Sequence, residues 1–387
     1  MSSMEKLYIN GHKIYKEVSL NYILKKIQGI KSLAPTNLYI HGPFCINLCN
    51  FCQHQGIQLR NNLEILNQYY KVYLPGLIKE FESTIKQLTI DSIYFGGGTA
   101  DLIPEEHMQQ LFDCIPNFKS IPCKIFEAHP ASLTRKQIDI LYANNFDSGY
   151  ISFGIQTFNK QITDNENRIY VSPDKILNKL NYIYKKGIFV NIDLVAYLNI
   201  EDISLLENDL SILFNNGEPD IITIYPLRQA FNYLNQKSQE ILPENTDLAN
   251  HLISENNKKY QDIEDVIFNT LLKFPKYHQW VSKENREAFN DNVTSNRGRP
   301  YYLTRHKDSI VDEKRAYNSS TPPFHNINSN TLGFGNYKRV YSHSYIEDQL
   351  VFYTMNDNWE TRYFAVHDET DLELNRKTIG WNDVINL

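Results

Sequence analysis

Leu38-Tyr39-Ile40-His41-Gly42-Pro43-Phe44-Cys45-Ile46-Asn47-Leu48-Cys49-Asn50-Phe51-Cys52 is the stretch on which the reading of this chain turns. Leu38 to His41 reads as a short β-strand, and Gly42-Pro43 ends it. The loop that follows carries Cys45, Cys49 and Cys52 in a CxxxCxxC spacing. Three clustered thiolates suit an iron–sulfur cluster. Three ligands on a four-iron cluster leave one iron open to a further molecule, whereas four thiolates normally make an electron carrier. His54 keeps another reading open, because with the three cysteines it completes a Cys₃His set of the kind that holds structural zinc.

Outward from this loop, short β-rich runs alternate with longer amphipathic segments. The strands are expected at Leu38 to His41, Ser92 to Phe95, Lys124 to Glu127, Gly149 to Gly154, Phe189 to Val195 and Ile221 to Tyr225. Helices are expected near Leu66 to Ile85, Pro104 to Cys114, Thr134 to Asn144, Pro173 to Lys186 and Ile203 to Phe214. Alternation of this kind predicts βα units on a parallel sheet. The fold class expected is α/β, a partial (β/α)6 TIM-type barrel over residues 36–227. An N-terminal extension, 1–35, precedes it, and a C-terminal α+β region, 228–387, follows.

Barrel sites form at the C-terminal ends of the strands, and the unusual residues sit there. The cysteine loop follows the first strand and Gly96-Gly97-Gly98-Thr99 the second. Glu127 ends the third, Gln156 follows the fourth, Asp193 lies near the end of the fifth, and Tyr225 ends the sixth. Consecutive glycines let backbone approach a ligand closely, although alone they read as an ordinary turn. Asp193, between Ile192 and Leu194, needs a partner, because a buried unpaired carboxylate is costly.

Composition narrows the classes. The 387 residues are 42% hydrophobic, enough for a sizeable core. With 39 Lys+Arg against 45 Asp+Glu there is no footprint for nucleic acid or an anionic membrane. Neither a signal peptide nor a run of eighteen apolar residues is seen, so a reducing cytoplasm is expected. Five cysteines, three of them clustered, argue against a disulfide framework. Cys114 and Cys123 read as core residues.

The motifs together resemble the radical SAM superfamily, in which CxxxCxxC with an aromatic residue before the last cysteine, here Phe51, is the defining motif. The stretches Tyr39 to Cys45, Tyr94 to Thr99, Phe126-Glu127-Ala128-His129-Pro130, Ile151 to Phe158, Asn167-Arg168 and Asn191 to Leu194 are similar to the branch containing oxygen-independent coproporphyrinogen III oxidase and a heme chaperone. The resemblance implies a [4Fe-4S] cluster on Cys45, Cys49 and Cys52. It also implies one S-adenosylmethionine (SAM), or two if a second serves as methyl or methylene donor. The open iron would chelate the methionine end of SAM, and one electron would release a 5′-deoxyadenosyl radical. Gly97, Gly98 and Thr99 would bind the amino-acid end, with Tyr39 beside it. Glu127 would bond the ribose, and Gln156, Arg168 and Asp193 would complete the nucleoside and carboxylate contacts; Leu227 is counted with these cofactor-side residues. An arginine suits a carboxylate through paired bonds, and acids suit ribose hydroxyls. The partners implied are a small-molecule substrate and an electron donor such as flavodoxin or ferredoxin.

Departures from that branch bear on the reaction. Where the oxidases carry a further cysteine this chain has His54, and Val195-Ala196-Tyr197-Leu198 replaces a glycine-leucine-proline after Asp193. The basic cluster of Arg297, Arg299, Arg305, His306 and Lys307 is the one obvious source of cations for propionates. A helix is expected over Glu255 to Phe274. Leu332-Gly333-Phe334-Gly335 and Ser342 resemble the stretch closing the substrate side, and Trp359, Tyr363 and Phe364 are read as packing that cap or facing substrate, with packing the ordinary reading of aromatics. Three functions follow: radical chemistry on a specialised small molecule, coproporphyrinogen III decarboxylation, or heme carriage with His41, His54, His325 or His343 as axial ligand. Cys45→Ala is expected to abolish cluster and activity together, checked by iron content after anaerobic reconstitution; retained activity would contradict the motif's reading.

Overall fold

The computed structural model describes residues 7–9, 12–18, 36–52, 57–59, 63–198, 202–227, 246–280, 301–305, 330–334, 341–346, 349–358 and 361–366. In chain order its strands are β1 (Leu7–Ile9), β2 (His12–Val18), β3 (Thr36–Gly42), β4 (Phe44–Cys45), β5 (Ile57–Gln58), β6 (Ile90–Gly97), β7 (Cys123–Ala128) and β8 (Tyr150–Gln156). There follow β9 (Phe189–Ala196), β10 (Ile221–Pro226), β11 (His278–Trp280), β12 (Tyr301–Thr304), β13 (Asn330–Phe334), β14 (Tyr341–Ile346), β15 (Gln349–Asn358) and β16 (Thr361–Val366).

Strands β3, β6, β7, β8, β9 and β10 lie side by side in that order, each parallel to the next. Each is joined to its neighbour through helix, which is the α/β partial barrel expected. Every one of these strands contains the core of its expected run. The helices differ more. The segment expected as one helix from Leu66 is divided into Leu63–Gln68, a widened turn at Tyr69–Tyr73, Leu74–Glu80 and Glu82–Ile85. Pro75 has no N–H to continue the ladder across this join. The Ser204–Ile212 helix likewise closes through a wide turn at Leu213–Gly217. A helix at Lys160–Asn165 was not expected; it is too short to show periodicity and is started by Asn159, whose side chain accepts from the Ile162 N–H at 3.1 Å.

Alternation along the strands sorts two faces. Leu38, Ile40, Ile93, Phe95, Phe126, Ile151, Phe153, Val190, Ile192, Leu194, Ile222 and Ile224 are buried in one continuous core with the apolar stripes of the helices. The intervening residues face the other way, and register lines them up: Tyr39 beside Tyr94, Glu127 beside Ser152, Ser152 beside Asn191, Gly154 beside Asp193, and Asp193 beside Thr223. The barrel interior is therefore polar and tyrosine-rich toward the strands' C-terminal ends. Nearer their starts Cys123, Ile125 and Tyr150 form a small apolar plug with Tyr94 and Phe189. Cys123 is buried there, while Cys114 is partly buried.

The sheet continues on both sides. Antiparallel β12 and β11 extend it beyond β10. On the other edge β13 runs parallel to β3, placing Gly333 beside Tyr39, and Phe334 is buried edge-on against Phe81 at 5.3 Å. Antiparallel β14, β15, β16, β2 and β1 follow, so strands from residues 1–35 share a sheet with the C-terminal region. The expected Glu255 to Phe274 helix is longer, Thr246–Lys273. Ser342 and His343 lie on β14, and Tyr363 and Phe364 on β16. Gly335, His54, His325, Trp359, Arg297, Arg299, His306 and Lys307 lie outside the described residues. No described helix is long and apolar enough to cross a membrane.

Phe95, Phe112, Phe118, Phe126 and Phe146 pack as one aromatic cluster beneath β6 and β7, with Phe112 stacked on Phe118 at 4.5 Å and Phe95 edge-on to Phe112 at 5.4 Å. Phe95→Ala should cost about 3–5 kcal/mol, read from urea unfolding, since the cavity it leaves is ringed by neighbours that already touch one another.

Candidate active site

The cysteine loop starts where β3 ends. Cys45 sits on β4, which pairs with β5 and accepts the Leu59 N–H on its carbonyl at 2.9 Å. Cys49 and Cys52 are joined by a turn, Cys52 N–H to Cys49 O at 3.1 Å. Cys45 and Cys49 are buried and Cys52 is partly exposed. All three border one cavity with Ile46, Asn47, Leu48, Gly98, Thr99, His129, Arg168 and Ile169. Among the described residues no three His, Cys, Asp or Glu side chains converge on a single-ion site.

Glycines make that space possible. The Gly98 N–H bonds Gly42 O at 2.7 Å, locking the turn after β6 against the end of β3. A Cβ on Gly98 would stand 2.4 Å from Phe44 O and 2.8 Å from Cys45 Sγ, so no other residue fits. Gly97 has φ +113°, a conformation open to glycine. The run read as a ligand-facing turn is thus also a seat for the first cysteine.

A second set of bonds pins the loop from the far side. Asn167 Nδ2 donates to Leu48 O at 2.9 Å, Asn50 Nδ2 donates to Asn165 O at 2.9 Å, and the Asn50 N–H donates to Glu166 O at 3.1 Å. Arg168 donates from Nη1 to Cys49 Sγ at 3.5 Å and from Nη2 to the Gly154 carbonyl. The first of these contacts ties the guanidinium to one of the three sulfurs. Gln156 has φ +72° at a break in the β8 register. A Cβ on Gly154 would meet both Gln156 Nε2 and Arg168 Nη2, so these two side chains converge above it.

Two carboxylates face the interior. Glu127 accepts from the Tyr94 hydroxyl and the Gly97 N–H, yet burial, aided by the charge of Asp193, pushes it up to about 7. Asp193 has the partners its position demanded: Ser152 Oγ donates at 2.8 Å and Asn191 Nδ2 at 2.9 Å, while Thr223 Oγ1 donates to Asn191 Oδ1 at 2.9 Å. Burial still raises it to about 6. Tyr225 lies near both acids, and burial holds its hydroxyl well above the ordinary range.

Of the residues named from sequence, Cys45, Cys49, Cys52, Gly98, Thr99 and Arg168 line the cavity. Gly97 precedes the lining Gly98 and bonds Glu127, and Gln156 converges with the lining Arg168 over Gly154, whereas Asp193, bonded to Ser152 and Asn191, is not part of the cavity wall. Tyr39 is buried on the interior face, its hydroxyl 2.9 Å from His41 Nδ1 and its ring 5.9 Å from Tyr94. Phe51 packs against the core, and Leu227 is buried in it, its N–H bonded to Ala196 O at 3.1 Å. His129, Tyr94, Ser152, Asn191 and Thr223 were not singled out. The alternation of polar with apolar residues in Ser152-Phe153-Gly154, Asn191-Ile192-Asp193 and Ile222-Thr223-Ile224 is the signal that finds the last three.

No protein-family model matches the chain. In sequence it is 30% identical over 202 residues to the heme chaperone HemW of Buchnera aphidicola, covering 51% of each chain. It is 28% identical over 182 residues to the oxygen-independent coproporphyrinogen III oxidase of Synechocystis, covering 46% of this chain and 38% of that one. The sequence similarity is thus to proteins named heme chaperone HemW and oxygen-independent coproporphyrinogen III oxidase. The chain spans about half the length, or less, of these curated relatives. Its fold is that of the radical SAM enzyme HemN, coproporphyrinogen III oxidase of Escherichia coli, at a TM-score of 0.61 and 17% identity, covering 90% of this chain and 75% of HemN.

Departures from that branch acquire a physical form. Tyr197, within the segment replacing glycine-leucine-proline, has φ +61°, unusual for a bulky residue. Its hydroxyl donates to Asp262 Oδ2 at 3.0 Å and Lys259 Nζ lies 4.4 Å from its ring, so the Thr246–Lys273 helix holds it. Arg305, expected among cations at the barrel mouth, instead pairs with buried Asp220 at 2.6 Å, just before β10 begins. That is the opposite end of the strand from Tyr225, and the reason is local: Asp220, buried and already bonded to the Val190 N–H at 2.9 Å, needs a counter-charge.

Gly98→Ala should leave the protein folded but sharply reduce iron uptake, because the new methyl displaces Cys45; unchanged iron content would contradict the packing described. A second prediction follows from the acids. Glu127 and Asp193 bind protons more tightly folded than unfolded, so their contribution to the stability of the metal-free protein should be fully present below their ordinary values of 4.5 and 3.8 and be lost as pH rises through about 6 and about 7. Melting temperature against pH should show this, and Glu127→Gln should flatten the upper part of the decline.

Proposed function

We propose that this chain is a radical SAM enzyme, in which Cys45, Cys49 and Cys52 hold a [4Fe-4S] cluster and SAM binds between it and the strand ends. The observation that carries the reading is the single cavity bounded by three thiols, the Gly98-Thr99 turn and Arg168. The donor set fits the group: three cysteines lining one cavity, one sulfur within reach of a guanidinium, and a glycine where any side chain would collide with Cys45. When bound, cluster and SAM supply the one-electron chemistry that removes a hydrogen atom from substrate; the protein supplies binding and orientation.

Arg168 is placed to hold the SAM carboxylate, and the Gly97-Gly98-Thr99 backbone its amino-acid end. Glu127 and Asp193 accept from ribose hydroxyls, each keeping its own donors, Tyr94 for the one and Ser152 and Asn191 for the other. Tyr39 and the apolar outer core close the site against water. The substrate is a specialised small molecule, and the number of SAM molecules bound, one or two, decides whether a methyl or methylene group is transferred as well. Electrons come from a flavodoxin or ferredoxin.

Porphyrinogen decarboxylation is the weaker reading, since the described cation of the basic cluster, Arg305, is engaged by Asp220. Heme carriage is favoured by one finding, the similarity to proteins named heme chaperone HemW; stoichiometric heme binding by Soret titration would establish it. For the main reading, reconstituted protein reduced with dithionite should convert SAM to 5′-deoxyadenosine and methionine. A fully loaded cluster that yields neither, with any candidate substrate, would overturn it.

A further inference from the structure

His129 belongs to the cavity wall together with the three cysteines and Arg168, and no role has been given to it so far. It follows β7 directly, two residues beyond Glu127, and its backbone is fixed there. Its N–H donates to Asp101 Oδ1 at 3.1 Å, and its carbonyl accepts the Ser132 and Leu133 N–H groups at 3.1 and 3.2 Å. The ring is oriented by the chain that follows, since the Ala131 N–H donates to Nδ1 at 3.0 Å. A nitrogen that accepts a hydrogen bond carries no proton, so the ring's proton lies on Nε2. Among the described residues none accepts from that Nε2–H. Burial and the nearby charges of Arg168 and Lys179 hold the imidazole neutral, down to about 3.

We propose that His129 is a binding residue of the cavity, whose Nε2–H donates to the carboxylate of the methionine part of SAM alongside Arg168. A neutral donor next to a cationic one gives an anion a second, directional bond without adding charge beside the thiolates. The inference rests on the proposed cofactor site. It assigns to this chain a contact distinct from the glycine turn, because Gly98 and Thr99 approach the cavity from β6 and His129 from β7.

The test uses the full chain with reconstituted cluster and compares wild type with His129→Asn and His129→Phe. Asparagine keeps an oxygen to accept the Ala131 N–H, and so keeps the turn, but lacks the donor at the Nε2 position; phenylalanine removes both. Iron content and the midpoint potential are measured without SAM, and SAM affinity by equilibrium dialysis. The expected result is wild-type iron and potential in His129→Asn with SAM bound about tenfold more weakly, the effect of one lost hydrogen bond to a charged group, and a loss at least as large in His129→Phe. Equal SAM affinity in wild type and either iron-loaded variant overturns the inference, as does a shifted potential with unchanged affinity, which would make a cluster sulfur the acceptor. Wild type that takes up no iron overturns the cofactor reading itself, and the two failures are thereby separate.

Discussion

The contact on which the site depends is between two backbones. The ends of β3 and β6 run side by side, Gly42 opposite Gly97, and the Gly98 N–H closes on Gly42 O at 2.7 Å. That approach brings the turn after β6 under Cys45 at a distance no Cβ permits. Because Gly98 and Thr99 then stand in the same wall as the sulfurs, whatever the thiolates hold is presented to the turn. The rest of the loop is fastened to it from the opposite side by Asn50, Asn167 and Arg168. Strand ends that merely lay near one another would leave the loop without a fixed shape; two sets of bonds define it.

Charge is arranged around this loop with a consistent sense. Arg168 stands by Cys49, while Glu127 and Asp193 face the barrel interior, each supplied with neutral donors, and the charge of Arg168 only partly offsets the burial of Asp193. Burial therefore raises both acids, and they remain good hydrogen-bond partners for hydroxyl groups on either side of their titration. The interior face of the described barrel strands carries tyrosine, serine, threonine, asparagine and these acids. Such a lining suits a polar ligand of modest charge better than a polyanion, and the pairing of Arg305 with Asp220 at the far end of β10 points the same way.

Much of this was legible in the sequence because it rests on local chemistry. A CxxxCxxC loop after a strand, a glycine run after the next, and an acid on each of two later strands are patterns of spacing, and the parallel sheet brings them together with no further information. Asp193 shows the logic at its best: an acid between Ile192 and Leu194 had to have partners, and Ser152 and Asn191 are they. What sequence reasoning missed depends on contacts across long separations or on very short elements. Arg305 looked like a mouth residue because nothing in its neighbourhood reveals Asp220, eighty-five positions earlier. His129 was given no role of its own, because what brings it into one cavity with residues 45–52 and 168 is the fold and not its local sequence. Tyr197 takes a left-handed conformation unusual for a bulky residue while its side chain meets Asp262 and Lys259, on a helix some sixty positions later. The division of the first long helix and the six-residue helix at Lys160–Asn165 fall below what periodicity resolves.

The most direct measurement of the central claim is electron paramagnetic resonance of anaerobically reconstituted, dithionite-reduced protein, with iron and zinc quantified on the same sample, before and after addition of SAM. The account predicts about four irons per chain and a reduced-cluster signal that SAM perturbs, the mark of an iron open to a ligand. Zinc in place of iron, or a cluster signal indifferent to SAM, would contradict it.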